Sequence, residues 1–315
     1  MNDVIERPVF LVGAERSGTT LLRLMLDAHP DIVWQSEFEF AVDCIGDNGQ
    51  WPILEEYYLW LKKNRVFLDT KFSIDNSLDY PALVKSFLMQ KLGERPGKIV
   101  GATCHRHYEK LRLIWPDARF IHIVRDPRDV AKSNIGMGWA GNVWYGVDRW
   151  LEAEKSWNKL SRELNDSMKM EICYEDLICS PEPVLRNLSQ FLGVGYSDEM
   201  MSYSNTSTYS QPDESLVFQW KQKQSPRQIQ LVELKVGNAL VDKGYEMSQF
   251  PAIKVSSYEK NKLYLQNAFV RRRDRIKKFG FFLVTCNYFA RALKLESLEM
   301  WTLDKIFQIE RMSLK

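Results

Sequence analysis

The sequence predicts an α/β fold: a central, mainly parallel sheet with flanking helices. Three observations carry that prediction. Short β-rich runs recur at Val9 to Val12, Lys98 to Ala102, Arg119 to Val124 and Lys169 to Cys173. Each is followed by polar residues and then a helix-like pattern, the ordering of βαβ units with right-handed crossovers. The first run leads into a glycine-and-hydroxyl loop, Gly13-Ala14-Glu15-Arg16-Ser17-Gly18-Thr19-Thr20, and then a leucine-rich helix from Leu21 to Leu26. In such sheets ligands sit outside the carboxyl ends of the strands, which is where this loop falls.

The loop reads as a cradle for an anion. Glycine lets the chain come close to the ligand, while backbone N–H groups and the positive end of the helix dipole surround it. A nucleoside triphosphatase loop would carry lysine where this chain has Thr19. Its cation is instead Arg16, two residues before Gly18, suited to a terminal phosphate or a bridging oxygen. A triphosphate with magnesium is therefore disfavoured.

Between the first two of these runs lies a long, helical insertion, Phe38 to Leu92, with Trp51, Tyr57, Tyr58, Trp60 and Phe67. The segment is expected to cap an acceptor pocket, although any single ring is explained by packing. The strand Phe120 to Val124 then delivers Arg125 at its carboxyl end. Pro127 opens a helix, and Ser133 follows Arg125 by eight residues, about two helical turns along. A guanidinium and a hydroxyl so spaced suit a second phosphate.

The core is expected to close near Tyr245, giving a domain over 1–250 and a basic, aromatic helical extension over 251–315. The extension carries Arg271-Arg272-Arg273-Asp274-Arg275-Ile276-Lys277-Lys278 and then Phe279 to Val284, an apolar run too short to span a bilayer. A charged helix face beside a core-packing face explains these letters. Weak contact with a membrane surface or a homodimer contact is the other reading.

Composition bounds the rest. The chain has 315 residues, 45% hydrophobic and 27% charged, enough to bury a large core. Its 43 basic and 41 acidic residues nearly cancel, so any anion site is local and nucleic acid is not an expected partner. Cys44, Cys104, Cys173, Cys179 and Cys286 are odd in number and scattered, which suits reduced thiols better than a disulfide framework or a zinc site. The N-terminal residues lack the pattern of a secretory signal. A cytoplasmic location is expected, with the inner face of a membrane as the alternative.

Two anion sites on one sheet edge call for a ligand with separated phosphates, and here the chain resembles the sulfotransferases that use 3′-phosphoadenosine 5′-phosphosulfate. Pro8 to Leu22 is similar to that family's 5′-phosphosulfate loop, and Arg125 with Ser133 to its 3′-phosphate motif. The likeness continues through Ala28-His29-Pro30-Asp31, Tyr174-Glu175-Asp176-Leu177, Phe191-Leu192-Gly193 and Trp220-Lys221-Gln222-Lys223, covering roughly 8–247. It is nearest the bacterial and tyrosylprotein-type branch. The resemblance implies a P-loop NTPase-like sulfotransferase fold, with the phosphosulfate as co-substrate and no metal. It also implies Arg16, Ser17, Gly18, Thr19 and Thr20 around the leaving 5′-phosphate, with Tyr174 and Lys223 helping to hold the nucleotide.

The same resemblance implies Glu37 as the base that takes the acceptor proton, with Glu39 as the fallback if the register differs. A carboxylate opening a helix is the other explanation of Glu37. His105, in Thr103-Cys104-His105-Arg106-His107, is the rival base, since histidine titrates near neutrality. His29 and His122 read as structural. Many relatives carry a lysine near Thr103 and an arginine where this chain has Met137, so those roles are open here, with Arg106 and Arg128 as substitutes. Gly136 to Tyr145 reads as a mobile aromatic acceptor loop or a packed turn. The acceptor hydroxyl is left open among small molecules, lipids, glycans and peptides. The competing readings are an ATP-dependent P-loop kinase and a non-catalytic nucleotide-binding or scaffold protein.

Overall fold

The computed structural model describes residues 2–313. Its centre is a five-stranded, all-parallel sheet in the order β2-β3-β1-β4-β5. The strands are β1 Val9–Val12, β2 Ile32–Glu37, β3 Ile99–Cys104, β4 Arg119–Val124 and β5 Lys169–Cys173. Four of them fall on the runs read from the sequence, with β3 shifted by a residue or two. The strand β2 was not expected, so Glu37 ends a strand rather than starting a helix.

The period-two alternation of β1 divides the core. Phe10 and Val12 face a cluster with Phe38, Tyr57, Phe87 and Trp115. Val9 and Leu11 face another with Leu22, Leu26, Leu185 and Leu188. The first cluster is closed by the insertion, whose helices are Leu54–Leu61, Arg65–Thr70 and Tyr80–Leu92. There Tyr57 donates from its hydroxyl to the Phe40 carbonyl at 2.7 Å, and Tyr57 and Phe67 lie in the core. Burial of these rings supplies the main stabilisation of this layer.

β1 lies at the topological switch point. From β1 the chain goes first to β2 and β3 on one side and then crosses to β4 and β5 on the other, which opens a crevice at the carboxyl ends beside β1.

The chain divides into two compact units, Met1–Val130 with Arg149–Gln222, and Ala131–Asp148 with Lys223–Lys315. The first holds the sheet. The second is helical, with Pro226–Val236, Ser257–Phe279, Phe281–Ala292 and Glu296–Ser313 as its longer helices. Pro226–Val236 starts with a reciprocal capping box of Ser225 and Gln228. Within this unit Gly141 donates its N–H to Asn267 Oδ1 at 2.7 Å, and Asn142 Nδ2 donates to the Leu263 carbonyl at 2.8 Å. The segment Gly136 to Tyr145 is thereby tied to the helix Ser257–Phe279, the packed alternative of the sequence reading. Among the described residues no helix is long and apolar enough to cross a membrane.

Candidate active site

Parallel register assembles the site. Val12 pairs with Cys104, so Gly13 and His105 leave the sheet side by side, and His105 Nδ1 lies 3.1 Å from the Gly13 carbonyl. Val124 pairs with Cys173, so Arg125 and Tyr174 also emerge as neighbours. The Arg125 guanidinium stands 4.2 Å from the centroid of the Tyr174 ring.

The loop after β1 is shaped for an anion. Arg16 adopts φ 72°, a left-handed conformation uncommon outside glycine. Gly18, the N-cap of the helix Thr19–Ala28, has φ 95°, and the cap carries no side-chain hydrogen bond. The first turn holds no acidic residue, and its N–H groups have no intrahelical acceptors. Ser17 is fully buried with its Oγ without a hydrogen-bond partner. A buried hydroxyl left in that state is costly unless a ligand oxygen completes it. These groups fit the 5′-phosphosulfate end of the nucleotide that the sequence suggests.

Arg125 buttresses this loop. Its Nη1 donates to the Arg16 carbonyl at 3.2 Å and its Nη2 to the Leu216 carbonyl at 2.9 Å. The Tyr174 ring packs against Gly18, and burial raises its hydroxyl pKa while Arg125 and Arg16 pull it down. Behind Arg125 is Asp129, whose Oδ1 accepts from the Trp220 N–H at 2.7 Å. Burial pushes the Asp129 carboxyl up to about 6 against the pull of Arg125, whose Nη2 is 3.9 Å from Oδ2. Ser133 is half-buried on the helix Pro127–Gly136, and Lys223 is exposed at the end of the short helix Trp220–Lys223. Both fall in the second unit.

On the other side of β1 a polar cavity of about 480 Å³ is lined by Thr19, Thr20, Arg23, Glu37, Thr103 and His105, among others. Glu37 reaches it through a β-bulge: Gln35 pairs with Ala102 but Glu37 with Thr103, leaving Ser36 as the extra residue. Thr103 Oγ1 accepts from Trp34 Nε1 at 3.0 Å. Glu39 lies buried beside this wall and accepts the His105 N–H at 2.9 Å. Burial raises its pKa, His105 lowers it and Glu37 raises it further. The insertion does border the cavity, but with the charged residues Arg65, Asp69, Lys71 and Lys91 rather than with its rings.

Arg23 escaped the sequence reading. It follows Thr19 by four residues and Thr20 by three, on one helix face, and that spacing was the available signal. Burial lowers its pKa while Glu37 raises it. The two substitute arginines are committed elsewhere. Arg128 is buried and grips Asp126 through Nε at 2.9 Å and Nη2 at 2.7 Å, with its guanidinium 3.6 Å from the Trp220 centroid. Arg106 pairs with Asp43 at 2.8 and 2.6 Å. His29 and His122 are structural: His29 bonds the Gly195 carbonyl, and His122 stacks on Trp157 between Glu154 and Glu171.

The parallel sheet thus carries the loop at its switch point with a carboxylate and an imidazole beside it, the place where ligands bind in folds of this class. The Sulfotransferase family profile matches residues 8–198, and the chain belongs to that family. It is 24% identical over 207 residues to protein-tyrosine sulfotransferase A of Caenorhabditis elegans, covering 62% of this chain and 52% of the relative. It is 26% identical over 210 residues to protein-tyrosine sulfotransferase 2 of Gallus gallus, covering 62% of this chain and 53% of the relative. The chain thus spans about half the length of these relatives. The fold matches the sulfotransferase domain from the curacin biosynthetic pathway with a TM-score of 0.54 and 19% identity, covering 77% of this chain and 99% of that one.

Proposed function

We propose that this chain transfers a sulfuryl group from 3′-phosphoadenosine 5′-phosphosulfate to an acceptor hydroxyl, with Glu37 as the general base. The observation that carries the reading is the shared cavity: Glu37, His105 and the first-turn residues Thr19 and Thr20 line one space at the switch point. The acceptor oxygen attacks sulfur in line and gives its proton to the Glu37 carboxylate. The new S–O bond forms as the bridging S–O bond to the 5′-phosphate breaks, and the electron pair leaves on that phosphate as adenosine 3′,5′-bisphosphate. Charge building on the leaving oxygen meets the loop N–H groups, the Ser17 hydroxyl and Arg16, an arrangement of fixed dipoles that needs little reorganisation.

Thr19, Thr20 and Gly18 complete that cradle. Arg125, Ser133, Tyr174 and Lys223 are assigned to the rest of the nucleotide by the resemblance, and the buttressing of the loop by Arg125 and Tyr174 supports the first part of that assignment. His105, on the Gly13 carbonyl, orients the loop and is the second candidate base. The acceptor is a hydroxyl-bearing molecule. The names of the relatives make a tyrosine hydroxyl the first to test.

Glu37→Gln removes the base and keeps the shape. Transfer of labelled sulfate should fall by about 10²–10⁴-fold, while adenosine 3′,5′-bisphosphate binds with unchanged affinity in calorimetry. Retained turnover in Glu37→Gln together with its loss in His105→Gln would move the base role to His105.

A further inference from the structure

The second unit contains a cavity of about 1520 Å³ lying wholly within it, whose lining also takes in Gly136, Met137, Gly138 and Trp139. One wall is cationic. The helix Ser257–Phe279 brings Arg271, Arg272, Arg275 and Lys278 to it, and Arg291 joins from the helix Phe281–Ala292. The other wall is aromatic and aliphatic, with Phe281, Val284, Tyr288 and Ile306. At its mouth Phe281 is 68% exposed and Tyr288 69%, beside Phe282 at 71%. Such a run of exposed rings marks an interaction surface.

The walls are held by a polar network that is buried at Asn287 and Thr302. Arg275 Nη2 donates to Asn287 Oδ1 at 3.1 Å, and Asn287 Nδ2 donates to Thr302 Oγ1 at 2.9 Å. This ties Ser257–Phe279, Phe281–Ala292 and Glu296–Ser313 together, so the cationic and apolar walls keep their spacing. The acidic residues of the lining are Asp274, which pairs with Arg273 at 2.8 Å, and Glu310, against the six cations Arg271, Arg272, Arg275, Lys277, Lys278 and Arg291.

We propose that this cavity binds the headgroup and adjoining acyl region of an anionic lipid at a membrane surface. Charge complementarity selects the occupant. Cations beside exposed rings match a molecule that is negative at one end and apolar at the other. A free phosphate would leave the aromatic wall in water, and a second copy of this face would set like charge against like. Membrane contact does not depend on the transfer chemistry, so its failure would leave the sulfotransferase reading standing.

The test is co-sedimentation of the full chain with phosphatidylcholine vesicles containing or lacking phosphatidylserine. Binding is expected to the anionic vesicles only and to weaken with added salt. Arg271→Gln with Arg272→Gln should weaken it by about tenfold or more. Phe281→Ser with Phe282→Ser should do so without changing the salt dependence. Circular dichroism and thermal unfolding of both double variants should match the parent, because all four side chains are exposed. Negligible sedimentation with both vesicle types would overturn the proposal, as would equal binding to both. So would glycerophosphate competing away the binding at concentrations that merely occupy an anion site. Concentration-dependent self-association abolished by the same phenylalanine changes would assign the face to a second copy instead.

Discussion

At Gly18 the backbone conformation and the neighbouring ring make one demand. With φ at 95°, a Cβ placed there would lie 2.3 Å from Tyr174 Cδ2. Gly18→Ala therefore combines left-handed strain with displacement of Tyr174, and Tyr174 carries Arg125 with it. Strain alone costs roughly 1–2 kcal/mol, so affinity for adenosine 3′,5′-bisphosphate should fall by at least about tenfold, read by titration calorimetry; unchanged affinity would remove this contact from the site. Asp129 offers a pH-dependent counterpart. Its carboxyl is raised to about 6 from an ordinary 3.8, so the folded state holds the proton more tightly than the unfolded chain. Its contribution to stability is complete below about pH 4 and is lost as pH rises through about 6. Asp129→Asn keeps an acceptor for the Trp220 N–H and removes the charge. Urea unfolding of parent and variant should show the difference between them shifting in the variant's favour by on the order of 2 kcal/mol from about pH 4 to 7.

Between elements, the site depends on how β2 meets β3. Gly101 in β3 lies under Trp34 of β2, and a Cβ there would stand 2.2 Å from the ring. Gly101→Ala should force the indole out, break its bond to Thr103 and disturb the bulge that turns Glu37 into the cavity. Overpacking of this kind costs roughly 1–3 kcal/mol. The expected result is a lower denaturation midpoint together with reduced transfer, and a variant equal to the parent in both would show that the bulge does not depend on this contact. This junction is also where the sequence was least legible. The strands β1 and β4 stood out because their apolar runs are bounded by polar residues and followed by helical patterns, and β5, Lys169-Met170-Glu171-Ile172-Cys173, shows the same ordering although charged and apolar residues alternate in it. In β2, Ile32-Val33-Trp34 gives way at once to Gln35-Ser36-Glu37, so the alternation breaks at the bulge and no strand period survives. The loop Gly13 to Thr20 was legible because its chemistry is local. Arg23 was less so, because its relevance arises when the bulge brings Glu37 across from another strand.

For the molecule as a whole, the near balance of charge makes any charge-driven binding a matter of local fields, such as those of the loop after β1 and of the cations in residues 271–278. A ligand that binds only the folded protein stabilises it by mass action, by about 2.7 kcal/mol at roughly 100 times its Kd and about 4.1 at roughly 1,000 times. The loop has arginine and N–H groups but threonine at the lysine position of a triphosphatase. Adenosine 3′,5′-bisphosphate in the presence of chelator should therefore raise the unfolding temperature, and magnesium ATP at the same concentration should raise it far less. The described residues form two compact units, so calorimetric unfolding is to be fitted without a two-state assumption and the ligand-dependent transition followed by itself. Stabilisation by magnesium ATP and none by the bisphosphate would reverse the choice between sulfuryl and phosphoryl transfer. Stabilisation by the bisphosphate with no transfer to any of a broad set of hydroxyl acceptors would instead leave a nucleotide-binding protein on this fold.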